Sequence, residues 1–461
     1  MSINPKDLPT ERPSSFNEKG KRNFIHPAVV KGTFRKYRNI FYLFLILIFL
    51  VVPWTQYGGE QTILLDLSHR RFVFFGHTFW AHDGPLIFFP LTLAAVGLLW
   101  VTSVWGRVWC GWACPQTVFI DSLFRRVEGW IEGDHIKRRA LESAPWTMSK
   151  FGKKVLKWGI FFVMSAHIAH SFTAYFVGAK ELVWITLASP TENLDLFIFV
   201  QFITLVLLFD FGWFREQFCI IMCPYGRFQS VLMGRESLAV LYDEKRGEPR
   251  RGVDDGSGDC VDCYRCVQVC PTGIDIRRGV QLECIACTAC IDACNDVMKK
   301  TKKAPNLIRY ASVSKEEGKK FNPFNLRSMA YLTVLGILFS TFTFILMNRK
   351  EYDFKIIRAV DSPTVFVQDQ VSNHFYLNFT NQSQKPIVLT EIKLEDGSVV
   401  SPELPKELQP GDRNKIHFFA KVKKGLFKDQ YKLKKKLFID YQKGGVTYKI
   451  ESEVSLLGAK N

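Results

Sequence analysis

Cysteine is missing from both ends of this chain: none precedes Cys110 and none follows Cys294, so all twelve crowd into the middle of 461 residues. A secreted domain stapled by disulfides would show the reverse, with cysteines in its folded outer parts. The distribution points instead to metal or redox chemistry on the reducing side of a membrane. Acidic charge is also short, 44 Asp and Glu against 61 Lys and Arg, which leaves a net charge of +17. Nucleic acid would be one use for that excess, but the basic residues gather in alternate loops between apolar runs, so charge asymmetry across a membrane accounts for them and no nucleic-acid partner is expected. The first apolar run is expected to be a retained span rather than a cleaved leader. The polar stretch before the first apolar run is too long for one, and no small-residue cleavage site follows.

Five runs are long and apolar enough to cross a bilayer, which takes roughly 20 residues. They are Asn39 to Tyr57, Pro85 to Trp105, Val155 to Val177, Leu196 to Phe214, and Met329 to Met347. A mean hydropathy of +0.01 is then an average over membrane and soluble segments. Lys31, Arg35, Lys36 and Arg38 precede the first run, and Arg125, Arg126, Lys137, Arg138, Arg139, Lys153 and Lys154 lie between the second and third. The loops after the first and third runs hold mainly Arg70, Arg71 and Lys180. The positive-inside rule therefore predicts a cytoplasmic N-terminus and an exterior tail. The expected organisation is a basic N-terminal segment (1–38), a membrane domain (39–240), an inserted cysteine-rich domain (241–325), a fifth span (329–347) and a periplasmic domain (348–461).

The strongest local pattern is Cys260-x2-Cys263-x2-Cys266-x3-Cys270-Pro271, followed by Cys284-x2-Cys287-x2-Cys290-x3-Cys294 with Asn295 in place of the second proline. Three thiolates two residues apart can wrap one face of a 4Fe-4S cube, while the fourth reaches a neighbouring cube. This predicts a bacterial-type two-cluster ferredoxin: Cys260, Cys263, Cys266 and Cys294 on one cluster, Cys284, Cys287, Cys290 and Cys270 on the other. Zinc modules space two Cys pairs a dozen or more residues apart and do not crowd eight thiols this way.

The other four cysteines form a repeat, Trp109-Cys110-Gly-Trp-Ala-Cys114-Pro115 and Phe218-Cys219-Ile-Ile-Met-Cys223-Pro224, each copy following an inward-going span. If the helix persists, each pair lies on one face about 5–6 Å apart at Cβ, wider than the roughly 3.5–4.5 Å of a disulfide. A shared metal suits that spacing: soft thiolates favour Cu(I), and less specifically zinc or another iron–sulfur centre. Buried cysteines acting as small apolar groups are the plain alternative for one pair, and the repetition at equivalent positions argues against it. Met222 could add a thioether. His167 and His170 in the third run are either cofactor ligands or hydrogen-bonding groups, and Asp210 either handles protons or closes a helix end.

The tail alternates with period two, through Phe375, Leu377 and Phe379, then Ile416, Phe418, Ala420 and Val422, then Leu437, Ile439 and Tyr441, turning at Gly444-Gly445 into Val446, Tyr448 and Ile450. An all-β sandwich of immunoglobulin-like type is expected, without the Cys pair and Trp of antibody domains. His374 and His417 read as isolated, so a docking module is expected rather than a catalytic one.

With these pieces in order, the chain resembles the FixG/RdxA/CcoG family of cytochrome c oxidase accessory proteins. The resemblance rests on the two Cys-x3-Cys-Pro repeats, the double ferredoxin run, the five spans, Leu64-Leu65-Asp66-Leu67 leading to Arg71-Phe72 and Phe79-Trp80, and the β tail. It implies a multi-pass inner-membrane protein that helps assemble a cbb(3)-type oxidase as a cupric reductase. Cys110, Cys114, Cys219 and Cys223 would handle copper. The implied partners are a cytoplasmic electron donor, copper chaperones or transporters, and oxidase assembly factors; a homodimer is left open. Two alternatives stand beside it: a quinol dehydrogenase resembling NapH, which ordinarily stops after four spans, and a non-enzymatic redox-sensing assembly scaffold.

Overall fold

The computed structural model describes residues 24–80, 84–252, 256–318, 321–349, 352–359, 364–367, 369–383, 385–427 and 430–458, so most of the basic N-terminal segment lies outside the described residues. The chain forms two compact units. One takes the chain through His69, Val73–Gly76 and Ile87–Thr341; the other takes Arg70–Phe72, His77–Leu86 and the chain from Phe342 onward.

Among the described residues, five helices are long and apolar enough to cross a membrane: Thr33–Trp54, Leu86–Trp105, Met148–Val177, Leu194–Phe214 and Leu326–Met347. Phe44, Leu47, Phe88, Leu91, Phe202, Leu205, Phe339 and Phe344 all stand exposed on them. So much outward apolar surface is stable only with lipid as solvent. The first and third helices begin earlier than their apolar runs. Helix geometry needs a cap rather than apolar side chains, and both starts are capped. Thr147 Oγ1 accepts from the Lys150 amide at 3.2 Å. Gly32 brings no side chain to the first helix, and Asp292 of the ferredoxin segment substitutes, accepting from the amides of Phe34 at 3.2 Å and Arg35 at 2.7 Å. At its far end the first helix tightens into a 3₁₀ turn, Val52–Trp54, around Pro53, and Gln56–Tyr57 is already a strand, so the span stops short of Tyr57.

Between the second and third spans the chain runs through Pro115–Phe119, a π turn Ile120–Phe124, and Arg125–Ile131. Phe119, Ile120, Phe124 and Val127 pack there with Phe161, Ile168 and Phe211 in one apolar core. The same segment carries buried charge. Glu128 accepts from Arg215 at 3.0 Å and from Arg138 at 3.2 Å, and Glu132 meets Lys154 at 2.8 Å and Lys157 at 2.9 Å.

The ferredoxin segment is closed at its base by strand Ala239–Tyr242 pairing antiparallel with Ile308–Ala311. Val240, Ile274, Ile276, Ile291, Met298, Leu307 and Ile308 form its core among the cysteines.

The tail holds two antiparallel sheets. Gly397–Val400, Arg413–Lys423, Gln370–Asn381 and Tyr352–Arg358 are ordered side by side in one, with Thr364–Val367 also on Gln370–Asn381; Lys406–Leu408, Ile387–Leu394, Lys432–Lys443 and Val446–Leu457 form the other. Phe375, Leu377, Phe379, Ile416, Phe418, Leu437, Ile439 and Ile450 share one core, as period-two alternation requires. Val446 and Tyr448 have the inward parity yet are exposed, because the hairpin tip around Gly444 and Gly445 leaves them outside that core. The expectation that His374 and His417 are isolated fails: pairing of Tyr376 with His417 and of His374 with Phe419 sets the two imidazoles diagonally, 5.5 Å between ring centroids.

Candidate metal and redox centre

The two cysteine runs fold into loops of the same shape. In each, the residues just before and just after the second cysteine adopt left-handed backbone: Asp262 and Tyr264 around Cys263, Ala286 and Thr288 around Cys287, with φ of 52°, 55°, 52° and 61°. None is glycine, and such conformations cost about 1–3 kcal/mol each, so something at the loop must require them. Cys260, Cys263, Cys266 and Cys294 line one hollow. Cys270, Cys284, Cys287 and Cys290 line a second, which Cys266 also borders. Burial pushes the Cys266, Cys284 and Cys294 thiols up to about 12. Eight thiols around two hollows are a donor set that fits two 4Fe-4S clusters.

The four remaining cysteines also come together, though not on one helix face. That geometry depended on a persisting helix, and the helix ends where the proline of each copy is expected to end it. The helix stops at the second cysteine of each copy, where Cys114 (φ −63°, ψ 126°) and Cys223 (φ −68°, ψ 111°) are extended and Pro115 and Pro224 start new helices. Proline disfavours the helical conformation in the residue before it, so the break belongs to the motif. Burial pushes Cys110 up to about 11 and Cys114 upward. Cys219 is pushed well up by burial and then by Cys114, Glu216, Cys110 and Cys223, so thiols of both copies lie within electrostatic range of it. Gln229 of the second copy donates to Cys110 Sγ at 3.2 Å, and Gln116 of the first donates to Asp210 at 2.9 Å and to the Arg215 carbonyl at 3.1 Å. Each copy thus reaches into the other. Among the described residues no three His, Cys, Asp or Glu side chains stand ready around a single ion.

The two thiol groups are neighbours. A Cβ on Gly111, between Cys110 and Cys114, would lie 2.5 Å from the Ala286 carbonyl oxygen and 2.7 Å from that of Ile285, between Cys284 and Cys287. Only a glycine permits this approach. Two buried arginines secure it: Arg38 donates to the Cys287 carbonyl, and Arg107 donates to those of Leu282, of Cys284 at 3.2 Å, and of Gly226 at 3.1 Å. Tyr42 donates to the Gly111 carbonyl at 2.6 Å, and Tyr310 to that of Ala286 at 2.9 Å. Sequence reading missed all four residues, whose signal, a buried Arg or Tyr hydroxyl aimed at distant carbonyls, exists only in three dimensions. Gly106, left-handed at φ 60°, ends the second span and starts the turn that delivers Arg107.

Other candidates fall away from the centre. His170 Nδ1 pairs with the Ala166 carbonyl of its own helix at 2.8 Å, and His167 is exposed. Met222 is 62% exposed, and Asp210 ties the fourth span to Gln116.

The 4Fe-4S dicluster domain family matches residues 214–313, and the 4Fe-4S binding domain family matches residues 86–134. With its five membrane-length helices, this is a membrane-associated iron–sulfur electron-transfer protein. Protein RdxA of Cereibacter sphaeroides is 35% identical over 381 residues, 78% of this chain and 80% of that protein. Nitrogen fixation protein FixG of Rhizobium meliloti is 39% identical over 306 residues, 64% of this chain and 58% of that protein. Ferredoxin-type protein NapH of Escherichia coli is 21% identical over 221 residues, 45% of this chain and 67% of that protein. The chain belongs to the RdxA and FixG family.

Proposed function

We propose that the protein reduces Cu(II) to Cu(I) at Cys110, Cys114, Cys219 and Cys223 and hands the Cu(I) on for assembly of a cbb(3)-type cytochrome c oxidase. The observation that carries this is the seat of Gly111 against Ile285 and Ala286, which sets the membrane-edge thiols beside the Cys284–Cys290 loop. Cys260, Cys263, Cys266 and Cys294 would hold one 4Fe-4S cluster, and Cys270, Cys284, Cys287 and Cys290 the other; when bound, these supply one-electron carriers. Cys263 is exposed, which suits entry of electrons from a cytoplasmic donor at that loop. Each Cu(II) takes one electron and leaves as Cu(I), the ion that thiolates prefer. Arg38 and Arg107 hold the loop against the membrane domain, and Gln229 orients Cys110. We place the ferredoxin segment on the cytoplasmic side and read the tail as an immunoglobulin-like periplasmic docking module for copper carriers or assembly factors.

Reconstituted protein with all four membrane-edge cysteines changed to serine is expected to lose cupric reductase activity while keeping about eight irons, four per cluster. Unchanged copper reduction would sink the assignment. A second reading gives these four thiols an iron–sulfur centre of their own. It is favoured by the match over residues 86–134, where Cys110 and Cys114 are the only cysteines. Iron analysis of anaerobically purified protein separates the two, since a third cluster raises the count to about twelve.

A further inference from the structure

On the face bearing the basic helix ends, a cavity of about 1770 Å³, its open mouth included, lies between the start of the first span, the helices from Pro115 to Ile131, and the ferredoxin segment. Seven of its lining residues are Lys or Arg and two are Asp. Most of those cations are already engaged: Arg35 and Arg38 with Asp121, Arg125 with Glu216, Arg138 with Glu128. Asp134 is occupied too, capping its helix at the Lys137 amide. Lys31, Lys36 and Arg126 are exposed and have no acidic partner among the described residues. Three such cations around one hollow form a site for an anion, and a phosphate is the anion that suits both Lys and Arg.

A further feature narrows the ligand. Tyr37, Ile40 and Phe44 then continue outward along the first span, 60%, 57% and 57% exposed, and Trp130 stands 80% exposed at the lip. An apolar track leading out of a cationic hollow fits an acyl chain, and an interfacial tryptophan fits the headgroup level. We propose that this groove binds an anionic phospholipid such as phosphatidylglycerol. Cys287 and Ala289 form part of the opposite wall, so the lipid would also brace the ferredoxin segment against the membrane domain.

The test uses the full-length, cluster-loaded protein in nanodiscs of phosphatidylglycerol or of phosphatidylcholine, read by native mass spectrometry for lipid retained after detergent release. Phosphatidylglycerol should be retained on the order of 100-fold more strongly, as three basic contacts near a membrane surface imply. The triple variant Lys31→Gln, Lys36→Gln, Arg126→Gln should fall to the phosphatidylcholine level with iron content unchanged. Asn39→Asp, which adds a repelling carboxylate to the cavity lining and removes no cation, should weaken retention as well. Excess inorganic phosphate should not displace the lipid. Equal retention of the two lipids, indifference to both variants, or full displacement by inorganic phosphate would each overturn the proposal, the last by making a soluble phosphate the ligand.

Discussion

On the proposed copper chemistry, Gly111→Val is expected to slow copper reduction about 100-fold while leaving the iron content of the purified protein unchanged. The glycine is not there for an unusual backbone angle; it is there for space. Its Cα faces the Ile285 and Ala286 carbonyls so closely that any Cβ must drive the two segments apart. Valine adds two further carbons in the same direction, so the Cys284–Cys290 loop must retreat from Cys110 and Cys114. A displacement near 1 Å at a reacting centre can cost about 100-fold in rate. The eight ferredoxin cysteines are untouched, and their loops are shaped by their own left-handed turns. Rapid mixing of dithionite-reduced protein with Cu(II), followed through the visible absorbance, measures the rate directly. A variant with full iron and a native rate would mean that electrons leave by another route.

How much of this was legible beforehand depends on whether the cause is local. Thiol spacing is local, so the eight cysteines declare their chemistry in the sequence, and so does the Cys-Pro break, because proline acts on the residue just before it. Period-two burial in the tail was legible for the same reason, until the hairpin tip left Val446 and Tyr448 without a facing sheet. Contacts between distant segments were not legible. Asp292 caps the first span from 257 residues away in sequence, at the Arg35 amide, and nothing around it distinguishes it from an acidic residue on a solvated helix. Gln229 on Cys110, Arg107 on Cys284 and the diagonal of His374 and His417 are likewise products of folding. Helix starts were misjudged where basic residues ride on capped ends, since hydropathy marks the lipid-facing part of a helix and not its length.

The second large effect is expected from Glu128→Gln. Glu128 sits among Arg215, Arg138 and Lys157, and its own side chain is 2% exposed. Glutamine keeps the shape and removes the charge that offsets Arg215 and Arg138, while Lys157 keeps Glu132 at 2.9 Å, and breaking a buried pair in this way costs about 3–5 kcal/mol. Arg215 stands just before the second thiol repeat and its carbonyl receives Gln116 of the first, so the loss should loosen the centre as well as the fold. Denaturation in mild detergent at neutral pH measures the gap between variant and wild type. Acid supplies the control. Burial alone would push the Glu128 carboxyl up, but Arg215, Lys157 and Arg138 outweigh it and hold it down at about 2, against 4.5 for an unperturbed glutamate. A depressed carboxyl contributes fully above its unfolded value and loses that contribution as pH falls toward its folded one. The gap should therefore be constant above pH 4.5 and close between there and about pH 2. A gap that stays open through that window would assign the destabilisation to altered packing rather than to the lost charge.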